Sequence, residues 1–307
     1  MRSTVFHQSM HMREEDLFPQ STSCPFCNST KRVTGPVLQN DPIVRLLRCL
    51  TCHAVSASRM PTPEVLTRYY SRYYSDAKEK ITVDAPRRIA SHILRHTQLP
   101  MSALAGRELS ILDYGGGDGA ISIRIAKNLL ERGAKRIHIA LLDYDQSDID
   151  INDRHINLFR PDKLTEIVDR SMDLIIASAV IEHIPEPRDV LLKLLSSMRS
   201  SDSVFYARTP YVTPLLNFAK IIGTPFDFTY PAHVHDLGAK FWNNLLSVLP
   251  TAGRFQVLRS TPSIVETSIK RHFTRTLAAH ILKIPGYILK ESYGFVGGWE
   301  IIIRRHS

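Results

Sequence analysis

Leu109-Ser-Ile-Leu-Asp-Tyr-Gly-Gly-Gly-Asp-Gly-Ala120 is the stretch whose reading decides the fold. Its first six residues read as an apolar strand, Gly115 to Gly119 as a tight loop, and Ala120 to Arg132 as a helix. Glycines belong where the chain turns sharply and a ligand comes close to the backbone. Outward from this unit, a second apolar strand runs Arg136 to Asp145, and a third is expected at His155–Phe159. More strands are predicted at Met172–Ser178, Ser203–Arg208, Phe255–Arg259 and Trp299–Arg304, with helices near Pro187–Arg199 and Lys240–Leu249. Alternating strands and helices imply an α/β, doubly wound sheet, with ligands at the carboxyl ends of its strands.

Glycine spacing alone leaves the ligand open, since Gly115, Gly117 and Ala120 also fit the dinucleotide pattern in which a helix N-terminus takes a pyrophosphate. Asp113 at the strand end and Asp118 within the loop argue against that reading, because both repel pyrophosphate and suit a cationic ligand. Asp145 ends the second strand, where a carboxylate can accept from both ribose hydroxyls; Asp143, two residues earlier and on the same side, is the runner-up.

All four cysteines fall in one short region, as Cys24-Pro-Phe-Cys27 and, after 21 intervening residues, Cys49-Leu-Thr-Cys52. Two such knuckles have the spacing of a closed tetrathiolate zinc site, and the alternative of two disulfides fits poorly with a chain that shows no secretory signal. Cys24, Cys27, Cys49 and Cys52 leave no open position on the ion, so the zinc is expected to be structural, with His53 a bystander.

These residues resemble the class I S-adenosylmethionine-dependent methyltransferases. Their first motif is similar to Leu112-Asp-Tyr-Gly-Gly-Gly-Asp-Gly119, their ribose-binding carboxylate matches Asp145, and their fourth motif is similar to Asp173-Leu-Ile-Ile-Ala-Ser-Ala-Val-Ile-Glu-His-Ile-Pro185. The four-cysteine region ahead of that domain resembles methyltransferases with an N-terminal zinc-binding domain, some sugar C-methyltransferases among them. The resemblance implies a Rossmann-like seven-stranded methyltransferase sheet with a small N-terminal zinc ribbon. It places S-adenosyl-L-methionine on Asp113, Gly115, Gly117, Gly119, Asp143, Asp145, Asp162, Ser178 and Ala179. Asp162 is the candidate for the acidic residue near adenine. Only nine residues separate Asp145 from the third strand, made strongly polar by Asp148, Asp150, Asn152 and Asp153, so the usual long helix there is expected to be short or absent.

Methyl transfer from a sulfonium needs alignment first and a base only if the acceptor loses a proton; metal is not required. His183, just after the fourth strand, is the leading candidate for a base or acceptor-orienting group, followed by His233 and His235 in Tyr230-Pro-Ala-His-Val-His-Asp236. Arg208 and Tyr211 have groups that suit an anionic acceptor, and Asp236 is placed to cap the helix through Phe241-Trp242.

The expected organisation is a mobile tail (1–22), a zinc ribbon (23–60), linking helices rich in tyrosine (61–104) and the S-adenosylmethionine-binding domain (105–307). Tyr69, Tyr70, Tyr73 and Tyr74 read as aromatic packing between domains, with a surface for stacking on the acceptor as the alternative. Residues 268–290, apolar and basic together, read as a packed cap, or alternatively as an element touching a membrane or an amphiphilic acceptor.

Of 307 residues, 43% are hydrophobic and 22% charged, which excludes wholesale disorder. No stretch reaches the roughly 18 apolar residues of a spanning helix, and a cytoplasmic location is the expectation. The net charge is +9, yet residues 101–200 carry 13 basic against 16 acidic side chains, a pattern suited to a cationic ligand in an otherwise basic protein. The absence of dense Lys/Arg runs argues against a nucleic-acid arm. The sequence therefore points to methyl transfer to a small-molecule or carrier-linked acceptor, with a sugar or surface-glycan precursor favoured by the resemblance. Its competitors are an RNA methyltransferase guided by the ribbon and a non-catalytic cofactor-binding scaffold.

Overall fold

The computed structural model describes residues 11–76, 85–97, 99, 105–144, 149, 151–167, 170–198, 201–224, 228–251, 254–267 and 272–306. Its main sheet has seven strands: β4 (Glu108–Tyr114), β5 (Arg136–Leu142), β6 (Ile156–Phe159), β7 (Leu174–Ser178), β8 (Val204–Tyr211), β10 (Arg254–Pro262) and β11 (Gly297–His306). They lie in the order β10-β11-β8-β7-β4-β5-β6, with β11 antiparallel to both neighbours and the rest parallel. This is the expected Rossmann-like methyltransferase sheet. Residues 174–177 of β7 are all buried, as a parallel strand covered on both faces requires.

Helix α2 (Pro86–Thr97) buries Ile89, Ala90, Ile93 and Leu94 in the same apolar cluster as Ile121, Ile125 and Leu129 of α3 (Ala120–Glu131). Helices α4 (Pro187–Ser196) and α6 (Ala239–Val248) bury Leu191, Leu194, Phe241 and Trp242 in a second cluster. After β5, residues 151–155 contain a turn and no helix, while 145–148 and 150, where a short or absent helix is expected, lie outside the described residues.

The cysteine region forms β1 (Arg32–Asn40), β2 (Ile43–Cys49) and β3 (Val55–Ala57), joined by a fourth strand from far along the chain. That strand, β9 (His235–Asp236), pairs antiparallel with β3 through Val55↔Asp236 and Ser56↔His235. Cys24, Phe26, Cys49 and Cys52 share one apolar core with Leu237, Phe241 and Trp242. The Phe26 ring meets Phe241 edge-on at 4.7 Å, and Arg188 donates to the Phe26 carbonyl at 2.7 Å.

Residues 11–22 have a place on the ribbon where a mobile tail is expected. Met12 and Leu17 are buried with Val44, Ala57 and Val65, and the Phe18 and Ser21 N–H groups donate to the carbonyls of Met60 and Ser58. Isolated apolar residues with distant partners leave no periodicity to read. Residues 1–10 lie outside the described ones.

Helix α1 (Pro63–Asp76) buries Tyr69 and turns Tyr70 towards the loop after β5; the Tyr73 and Tyr74 side chains lie outside the description. Helix α5 (Thr213–Ile221) follows β8 directly. Helix α7 (Phe273–Leu289) touches the domain as a cap would, but along a narrow strip only. Thr276, Lys283 and Gly286 face inward, and Phe273, Leu277, Ile281, Ile284 and Ile288 are exposed.

Candidate active site

At the end of β4 the chain enters three left-handed conformations, at Gly115, Gly117 and Gly119, which residues with a side chain rarely adopt. The Gly115 N–H donates to the Leu142 carbonyl at 2.8 Å, tying the loop to the end of β5. The Gly117 N–H donates to Asp143 Oδ2 at 2.7 Å. Of the two carboxylates expected near ribose, Asp143 thus reaches the loop, and Asp145 lies outside the described residues. Gly116, which the sequence reading does not single out, is needed for space: a Cβ there would stand 2.4 Å from Asp113 Cγ and 2.6 Å from Leu141 Cδ1. A run of three glycines was the only signal for it.

Asp113 is buried beneath the loop with Oδ2 unpartnered, and burial pushes its carboxyl up to about 6, helped by the negative charges of Asp143 and Asp118. A buried carboxyl with a free lone pair, next to backbone too close for any side chain, fits a cationic ligand. Asp162 is exposed in the loop after β6.

Across the loop, Val180 fills the space a Gly115 side chain would need, so the residues after β7 form the opposite wall. Arg208 Nε donates to Ser178 Oγ at 2.6 Å, and Ala179, left-handed at φ 59°, donates its N–H to the Arg208 carbonyl. Arg208 is buried and paired with Glu266, so its charge is already matched within the protein and it does not serve as the acceptor's cationic partner. The Tyr211 ring packs against Gly238, where a Cβ would come within 2.3 Å of it.

His183 closes a single helical turn, Ile181–His183, and its ring is 24% exposed. The Ala232 carbonyl can only accept, so His183 Nδ1 donates to it at 2.8 Å. That assigns the Nδ1–H tautomer, and the Ala179 backbone also lies within hydrogen-bonding reach of the ring. Desolvation holds the imidazole pKa below its usual value. Glu182 Oε1 stands 3.9 Å from His183 Nε2; the carboxyl is buried, Oε2 has no partner, and burial pushes its pKa up to about 8. The His233 ring lies 4.8 Å from the His183 ring. Tyr70 of α1 approaches His183 edge-on at 6.3 Å and stacks on the exposed Tyr144 at 5.3 Å, which brings α1 to the site.

His235, expected beside His233 as a third candidate base, has a different role. It is fully buried in β9, its Nε2 donates to the Ile184 carbonyl at 2.8 Å, and its Nδ1 accepts from Ser56 Oγ at 2.9 Å. With both nitrogens engaged and burial pushing its pKa down to about 3, it is a structural residue joining ribbon to domain. Asp236 likewise departs from expectation. It accepts from the Val212 and Thr213 N–H groups at 2.7 and 2.8 Å, capping α5 and not α6.

The four cysteine sulfurs converge, each within 4.8 Å of the others, with Cys24–Cys52 and Cys27–Cys49 both at 3.5 Å and no disulfide among them. Around a tetrahedral ion with 2.3 Å bonds, sulfurs sit about 3.8 Å apart, so the cage fits zinc with small adjustment. The N–H groups of Thr51 and Cys52 point at Cys49 Sγ, at 3.4 and 3.5 Å. Arg32, with Nε and Nη2 unpartnered, supplies positive charge beside all four thiols.

Residues 83–231 match the family model described as "Methyltransferase domain". Over that stretch, which runs from α2 to the loop before β9 and holds the glycine loop and His183, the chain is therefore similar to methyltransferase domains. No curated protein matches the chain. Among solved structures, it is similar to the plantazolicin methyltransferase BpumL, bound to a triazolic desmethylPZN analog and SAH, at 14% identity and TM-score 0.47, covering 80% of this chain and 92% of that one. It is also similar to magnesium protoporphyrin IX methyltransferase from Synechocystis PCC 6803 with bound SAH, at 15% identity and TM-score 0.44 (80% and 95% covered). A third is coclaurine N-methyltransferase, bound to N-methylheliamine and SAH, at 16% identity and TM-score 0.42 (74% and 73% covered).

Proposed function

We propose that this protein methylates a small-molecule or carrier-linked acceptor seated between the glycine loop and the His183–His233 pair, with a sugar or surface-glycan precursor as the favoured class. The observation that carries the reading is the juxtaposition of a buried, half-unpartnered Asp113 and a left-handed glycine loop with a partly exposed imidazole oriented by the Ala232 carbonyl. S-adenosylmethionine, when bound, supplies an electrophilic methyl group on a sulfonium. Asp113 and the loop would hold its cationic portion, and Asp143, with Asp145 two residues on, would receive the ribose hydroxyls. His183, kept neutral by desolvation and oriented by the Ala232 carbonyl, would take the acceptor's proton at Nε2 as the acceptor atom bonds to the methyl carbon and the carbon–sulfur electron pair returns to sulfur. His233 stands beside it to orient the acceptor. Zinc on the four cysteines would take no part in the chemistry and would hold the ribbon in place.

The test is incubation of the protein and a labelled methyl donor with a metabolite extract, read by mass spectrometry, with His183→Gln alongside. A labelled small molecule whose formation falls 10²–10⁴-fold in His183→Gln, at unchanged cofactor affinity, is the expected result. Label appearing only in RNA, or in nothing while the cofactor binds tightly, would overturn it in favour of an RNA methyltransferase or a scaffold.

A further inference from the structure

Helix α7 is amphipathic the wrong way round for a soluble domain. Phe273, Leu277, Ile281, Ile284 and Ile288 recur at spacings of three and four, which aligns them in one stripe, and all five are exposed. Its inward strip holds Thr276, Lys283 and Gly286. Lys283 is buried there, donating Nζ to the Ser263 carbonyl at 2.6 Å and to Ser263 Oγ at 2.9 Å, and Thr276 hydrogen-bonds Thr267. Gly286 lets the helix lie against Val296 and Pro262, where a Cβ would come within 2.5 and 2.8 Å. The helix is thus anchored by polar and small residues while its apolar side is turned outward.

A second exposed apolar set continues from it. Helix α5 exposes Phe218 and Ile221 (82%), Ile222 just beyond its end is exposed too, and residues 293–296 bridge the two helices: Phe295 meets Phe218 at 5.9 Å, and Gly294 packs on Pro214. Soluble monomers seldom leave an apolar surface of this extent bare. The surface lies next to Tyr211, at the carboxyl end of β8, the edge of the sheet that carries the candidate site.

Charge selects the occupant. Apart from the inward-held Lys283, residues 268–290 contain Lys270, Arg271, Arg275 and Lys290 and no Asp or Glu, and α5 adds Lys220, again with no acid. A second copy of the chain would set these basic residues against their own kind, whereas anionic lipid headgroups would pair with them as the apolar stripe enters the acyl boundary. At 17 residues α7 does not span a bilayer, and among the described residues no helix is long and apolar enough to do so. We infer that the α5–α7 face seats the protein in the plane of an anionic membrane surface, with the candidate site at its edge. This goes beyond the proposed methyl transfer and does not depend on it.

Co-sedimentation of the full chain with phosphatidylcholine vesicles, with and without 30% phosphatidylglycerol, tests the inference without any acceptor. The expected result is binding to the anionic vesicles at 0.1 M salt, several-fold weaker at 0.5 M salt, and at least tenfold weaker for Ile281→Glu/Ile288→Glu at unchanged cofactor affinity. Wild-type protein left in the supernatant, or a double variant that binds as well as wild type, overturns it. So does a dimer that the double variant dissociates in a protein that ignores vesicles, because the face would then be an interface between copies.

Discussion

Replacing His235 by Gln tests the claim that this histidine joins the two parts of the molecule and takes no part in chemistry. Its folded pKa of about 3 lies below the ordinary value of 6.5, chiefly through burial, with the charge of Arg32 and the neighbouring His183 acting in the same direction. A depressed histidine binds fewer protons folded than unfolded, so its contribution to stability is complete above pH 6.5 and is lost as pH falls towards 3. At 1.36 kcal/mol per pH unit, wild type should lose about 2 kcal/mol from this group between pH 7.5 and pH 5. Buried Asp113 and Asp236, both pushed up to about 6, act with the opposite sign and favour the folded state as pH falls. They are present in both proteins and cancel in the difference between wild type and variant. The substitution also disturbs the hydrogen bonds to Ser56 and Ile184 and the edge contact with Phe26 at 4.8 Å, a cost of about 3–5 kcal/mol at pH 7.5. Urea denaturation of both proteins at pH 7.5, 6 and 5 reads the two effects separately. A wild-type-minus-variant difference that stays flat with pH would refute the burial argument, and an equally stable variant would refute the joining role.

Asp143→Ala removes the charged acceptor of the Gly117 N–H and should weaken S-adenosylhomocysteine by about 1.5–3 kcal/mol, roughly 10- to 150-fold, in calorimetry. If Asp145→Ala costs more, ribose belongs to the later carboxylate. Gly116→Ala places a Cβ against Asp113 and Leu141 and should cost about 1–3 kcal/mol of stability together with cofactor affinity; a variant that melts and binds like wild type would show that the loop yields. Elemental analysis should find one zinc per chain, lost in Cys49→Ser. Its removal should lower turnover more than cofactor affinity, because the ribbon touches the acceptor wall through His235 and Ile184 and not the glycine loop.

Strand, glycine loop and helix were legible from residue 109 to 132 because their signals are local: alternation, consecutive glycines, and helical spacing of Ile121, Ile125 and Leu129. The cysteines were legible because two knuckles carry their own geometry. His233 and His235 were not separable, since what distinguishes them is a strand partner at Ser56 and a carbonyl at Ile184, neither nearby in sequence. Asp236 has the same history: its helix partner precedes it by 23 residues and does not follow it. The amphipathic period of α7 is plain in the sequence, but periodicity states only that two faces differ and not which one the protein covers.

Strand β9 also imposes a timetable on synthesis. The bond between Ser56 and His235 spans 179 residues, so at about 5–20 residues per second the ribbon waits about 10–35 s for its fourth strand to leave the ribosome. During that interval Val55–Ala57 offers an unpaired edge, and Phe26 lacks both Phe241 and His235. A nascent chain arrested before residue 235 should accordingly present the ribbon as a sticky, protease-sensitive segment even with its metal bound, and release past residue 242 should close it.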